Sequence, residues 1–274
     1  MKKTFRNILI ASLFSGLLVS CSNDDDTQQE TIEGFGDAEL FFDNGMAGDA
    51  LILGGSKTNS NNETLTVNRL NYIISNVVLI EEDGTEYVYP KNESYFIISQ
   101  EGDMHTVHLE NIPAGDYTQV RFGIGVDELR YLEGETAQQE FWDYAAANNM
   151  TWTWSTGYRF INFEGTFTSE NNSEPLQFQV HQGSNSATDN YREVTLNLPT
   201  TARVRVDEMP NIHIIADANT IVDGTNKIVL SENLNTAGTN ASIMGGENLI
   251  LIAENTQQMF TVDHVHNGGG SHQH

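Results

Sequence analysis

Three histidines are spaced so that they could serve one metal ion. His264 and His266, in Asp263-His264-Val265-His266, fall two residues apart. On an extended strand their β-carbons then stand about 7 Å apart on one side, from which two imidazoles can converge on one ion. His181, in Phe178-Gln179-Val180-His181-Gln182-Gly183, is the candidate third ligand. The chain has a single cysteine, Cys21, so neither a thiolate zinc site nor an intrachain disulfide can form. Solvated surface histidines would give the same pattern, and that reading stays open. His105 and His108 are three apart in an expected strand; their side chains should leave on opposite faces and not chelate together. His272 and His274, in the C-terminal tail, could capture a metal adventitiously.

A second concentration of chemistry runs from Met150 to Gly165, where Trp152 and Trp154 join three further aromatics. Strand alternation would put Trp152 and Trp154 on one face, with Met150 in phase. That face is either core or an aromatic platform able to bind a glycan or a protein. Motifs for catalysis are missing: the chain holds no G-x-S-x-G elbow, P-loop, H-E-x-x-H or dinucleotide fingerprint. The segment Asp217–Gly224 begins like a calcium loop, but its glycine comes two positions late for that turn. The expectation is therefore a binding protein and not an enzyme. With 13 Lys and Arg against 38 Asp and Glu, a formal charge of −25, the chain repels phosphate backbones and should bind no nucleic acid.

The elements that must position these residues read as mainly β. Period-two or short apolar runs recur from Ala38 to Val206, separated by turn chemistry such as Asp83-Gly84 and Pro113-Ala114-Gly115-Asp116. About ten strands at this spacing predict an antiparallel β-sandwich. Two short helices are expected, over Glu135–Asn148 and Glu247–Phe260, and one domain should span 37–267.

The N-terminus reads as an address. A basic start, Met1 to Asn7, leads into the apolar Ile8–Val19, which is too short to span a bilayer as a helix and reads as part of a signal peptide over 1–20. Leu18-Val19-Ser20-Cys21 resembles the lipobox of bacterial lipoproteins, which implies a lipid on Cys21 and a membrane partner through that anchor. Residues 21–36, with Asp24-Asp25-Asp26, read as an acidic tether, and 268–274 as a flexible Gly/His tail. An acidic run after the lipidated cysteine resembles the export signal of Bacteroidetes surface lipoproteins. The expected location is the outer membrane, on its periplasmic or its cell-surface face.

One family joins these pieces. Leu70–Asn76, Ile112–Tyr117, Phe122–Asp127, Met150–Gly165 with its M-x-W-x-W-x-x-G-Y-x-F pattern, His181 and Met259–His266 follow one another as in the MbnP-like copper-binding domain of bacterial lipoproteins, which the chain resembles over about 230 residues. The resemblance implies a β-sandwich of the cell envelope that binds copper, in acquisition or buffering. It also implies a site of two histidines and a tryptophan-derived kynurenine, made with a di-haem peroxidase-like partner. Such relatives carry a histidine shortly after the segment matching Phe122–Asp127; here that stretch is Glu128-Leu129-Arg130-Tyr131, without one. On this reading the metal residues are His181, His264 and His266, with Trp152, Trp154 and Met150 beside them.

Overall fold

Alternation of apolar and polar residues sets the first strand. In β1 (Phe35–Met46), Ala38, Leu40 and Phe42 are buried, whereas Asp37 and Asp43 face out. The computed structural model describes residues 32–153, 157–184 and 188–268. Cys21, the signal-peptide and tether residues up to 31, Trp154, His272 and His274 lie outside the described residues.

Short β2 (Asp49–Ala50) and β3 (Ser56–Thr58) precede β4 (Thr64–Glu81), the longest strand, and β5 (Glu86–Val88), β6 (Tyr95–Ser99), β7 (Thr106–Pro113) and β8 (Gly115–Ile124) follow it. Next come helices α1 (Glu128–Leu132) and α2 (Gln139–Ala147), then β9 (Ile161–Ser169), β10 (Asn172–Gln182), β11 (Arg192–Val204) and β12 (Asn211–Asp217). The chain then runs through α3 (Thr220–Asp223), β13 (Asn240–Ile243), α4 (Glu247–Thr256) and β14 (Phe260–His266).

Two sheets result. The larger has the order β11-β8-β4-β9-β10-β13, with β3, β5 and β6 also paired to β4. The smaller runs β14-β12-β1-β2, and β7 pairs with the first half of β1. The mainly β sandwich is therefore as expected, with fourteen strands among the described residues. Most pairings are antiparallel; β1 with β12 and β10 with β13 are parallel. Long connections through helices make these parallel returns possible.

The inner faces of the sheets meet in one core. Phe42 packs edge-on against Tyr72, Phe122 and Phe260, with centroids 6.0, 5.6 and 6.0 Å away. A smaller second cluster lies on the outer face of the large sheet, where Ile73, Ile97 and Phe160 are covered by Ala145 of α2, Met150 and Tyr158. Gly125, at a φ of +99°, permits this cover, because a Cβ there would stand 2.2 Å from the Phe160 ring.

Several sequence expectations need correction. The described residues of 150–160 do not form one continuous strand: Thr151 bridges back to Tyr158, and the Trp152 amide donates to the Gly157 carbonyl at 3.1 Å. Gly157, the partner of Trp152 in this pairing, has a φ of +140°, outside the range that L side chains readily adopt. The expected helix at 135–148 is a 3-10 turn followed by α2, and the expected helix at 247–260 ends at Thr256, so that Phe260 starts β14.

Helix α1 begins at a charged hub. Asp127 accepts from the Arg130 amide (3.3 Å) with one oxygen, and from Lys91 Nζ (2.6 Å), Tyr95 Oη (2.7 Å) and Asn76 Nδ2 (3.0 Å) with the other. Burial opposes ionisation of this carboxyl, but hydrogen bonds from Lys91, Asn76 and Tyr95 and the Lys91 charge outweigh it and bring its pKa down to about 2. A carboxylate depressed in this way stabilises the fold above its ordinary value of 3.8, and the contribution is lost as pH falls towards 2. Asp127→Asn should therefore cost on the order of 2 kcal/mol near neutrality and progressively less in acid. Urea unfolding of both proteins across that pH range checks this; a gap that stays constant would remove Asp127 as its cause.

Candidate metal centre

In β10, Phe178 and Val180 point into the core, so His181 leaves on the outer face of the large sheet. It is nevertheless only 2% exposed. The Trp152 ring lies against it, with centroids 5.9 Å apart, and Trp152 is itself buried. Gly183 permits this closure, since a Cβ there would meet the Tyr158 carbonyl at 2.4 Å and Trp152 Nε1 at 3.2 Å. The Arg159 guanidinium sits over the indole, 5.1 Å from its centroid. Tyr131 of α1 reaches the same loop at Gly157.

The two nitrogens of His181 have different surroundings. Nε2 is 2.6 Å from Glu164 Oε1, on the neighbouring strand β9. Glu164 Oε2 accepts from Arg69 at 3.0 Å. The hydrogen bond from His181 is the main influence holding the Glu164 carboxyl below its usual range; burial opposes it, and Arg69 adds to it. With the Nε2 proton directed at a carboxylate, the neutral ring carries its lone pair on Nδ1. Nδ1 is buried and has no hydrogen-bond partner among the described residues. A carboxylate on the far nitrogen is the arrangement that orients metal-ligating imidazoles.

His264 and His266 lie elsewhere, which corrects the expectation of one three-histidine site. They sit on the outer face of the small sheet, in register with His213 and Asn211 of β12. His181 faces outward from the other sheet, so the separation exceeds the roughly 10 Å between packed sheets. A β-bulge between His213 and Ile214 in the β12–β14 register resets the phase. Val262 and Val265, three residues apart, both pack on the core as a result, and His264 and His266 turn outward together. His264 Nδ1 is 2.8 Å from Asp263, and its ring stacks on His213 at 4.1 Å.

His213 is a residue that sequence reasoning missed. It sits within an apolar run, Ile212 to Ala216, and only its cross-strand position reveals it. His105 also needs correction. It precedes β7 rather than lying in it, so it shares a surface pocket of about 460 Å³ with His108, Met104 and Phe41. Met150, fully buried, belongs to the second apolar cluster, and Trp152 is covered; Trp152 thus forms no exposed aromatic platform. Among the described residues, no three His, Cys, Asp or Glu side chains gather in a group that could hold a metal.

Comparison with known proteins places the chain. A solved structure, MbnP from Methylosinus trichosporium, aligns over 82% of this chain and 97% of its own, at 13% identity and a TM-score of 0.46. No curated protein matches the chain. The MbnP family model matches residues 36–244, three quarters of the sequence, and the protein belongs to the MbnP family.

Proposed function

We propose that this is a lipid-anchored protein of the bacterial envelope that binds copper as cargo at His181, beside Trp152, without catalysing a reaction. The observation that carries the reading is the His181 ring: one nitrogen is held by Glu164, and the other is buried and lacks a hydrogen-bond partner among the described residues. Membership of the MbnP family supports copper as the ion, by the resemblance already drawn. The lipobox-like Leu18-Val19-Ser20-Cys21 supports the anchor, and we place the anchored protein at the outer membrane, on its periplasmic or cell-surface face. Trp152 is the tryptophan assigned on this reading to oxidation by a di-haem partner, because its ring lies against His181.

His181→Ala should remove most copper from the purified protein, whereas the double variant His264→Ala/His266→Ala should leave the copper at His181 in place. Elemental analysis after dialysis against a competing chelator reads both variants. Copper retained by His181→Ala and lost from the β14 variant would overturn the assignment.

A further inference from the structure

Helix α2 buries Ala145 against the second cluster, while the neighbouring Tyr144 is 43% exposed. Two openings in the surface adjoin at this tyrosine. One, of about 640 Å³, is lined by Asn92 of the 3-10 turn Lys91–Glu93, Arg130 of α1, and Gln139 and Phe141 of α2. The other, of about 460 Å³, is lined by Phe41, Phe96, Met104 and His105. Tyr95 and Tyr144 line both, so the two openings are halves of one groove. The Tyr144 ring is held in place there: its hydroxyl donates to Met104 Sδ at 3.4 Å, and the Phe141 ring, one turn earlier on the helix, lies 6.5 Å away.

The lining selects a class of ligand. Aromatic rings are accompanied by planar polar groups, the amides of Asn92 and Gln139 and the carboxylates of Glu93 and Glu140. Amides and carboxylates offer paired atoms to neighbouring hydroxyls, and an aromatic face accepts the C–H side of a sugar ring. Arg130 adds a donor. Its Nη1 is held by Glu133 at 2.8 Å, but its Nε is buried and has no hydrogen-bond partner among the described residues. A ligand oxygen would satisfy that donor. Charge narrows the class further: Glu93 and Glu140 line the larger opening and Asp103 the smaller, and the Arg130 charge is already paired, so an acidic polymer is repelled. Each opening falls within the roughly 300–1,000 Å³ of ligand pockets, so the groove has room for more than one linked ring.

We propose that this groove binds a neutral glycan chain, with one sugar ring stacked on Tyr144 and the adjoining sugars in the two openings. Neither His181 nor Trp152 lines it, so the site is separate from the candidate metal centre and goes beyond the copper reading.

The test uses the full-length protein in a detergent without a sugar headgroup, run by native electrophoresis through gels containing dextran, laminarin or mannan, with alginate as the acidic polysaccharide. At least one of the three neutral polysaccharides should retard the parent protein, and alginate should not. Tyr144→Ala should weaken the retarding interaction roughly tenfold or more. Its melting temperature should stay within about 3 °C of the parent, because Tyr144 belongs to neither apolar cluster. Tyr144→Phe, which keeps the ring and loses only the hydroxyl, should be retarded as the parent is. His181→Ala should also behave as the parent, which separates this groove from the copper reading. Retardation by none of the neutral polysaccharides, equal retardation of the parent and Tyr144→Ala, or retardation by alginate alone would overturn the proposal.

Discussion

Replacing Phe42 with alanine should lower the unfolding free energy by about 3–5 kcal/mol, a large part of the roughly 5–15 kcal/mol that a domain possesses. Phe42 is fully buried on the inner face of the small sheet and touches Tyr72 and Phe122 of the large one, together with Phe260 of β14. Its removal leaves a cavity bounded by strands of both sheets, which cannot close without shifting one against the other. Phe35, on the same strand but 62% exposed, is the control, and Phe35→Ala should change stability by no more than about 0.5 kcal/mol. Urea denaturation measures both. Equal effects for the two variants would show that the sheets do not meet at Phe42.

The second large effect concerns location. Cys21→Ser should transfer the protein from the membrane fraction to the soluble fraction with its melting temperature unchanged. Lipid chains supply about 0.8 kcal/mol per buried methylene, and no helix among the described residues is long and apolar enough to cross a membrane in their place. Fractionation of cells expressing either form decides it. A serine variant that still sediments with membranes would end the lipoprotein proposal.

Much of the sandwich was legible because strand periodicity is local. β4 reads directly as alternating and continuous apolar residues from Leu65 to Ile80, and β8 from Tyr117 to Ile124. Residues 150–160 misled for the opposite reason. Their aromatics alternate as a strand would, yet Thr151 and Trp152 pair back with Tyr158 and Gly157, and the Trp152 ring comes to lie against His181. Tertiary packing overrode local pattern there.

The amino-acid sequence by itself determined the composition of the candidate site: an imidazole in Val180-His181-Gln182, a tryptophan-rich segment, no cysteine other than Cys21, and enough alternating apolar residues to force two sheets together. Which side chains share a face was decided only by strand register. Register brings Asn162 next to His181, and Asn71, 91 positions earlier in the chain, next to Asn162. The bulge in the β12–β14 pairing turns His264 and His266 away from the core, onto the other sheet's outer face. A one-residue shift in pairing moves every side chain of a strand to the opposite surface, so the chemistry of these faces is a property of the assembled sheets rather than of any single segment.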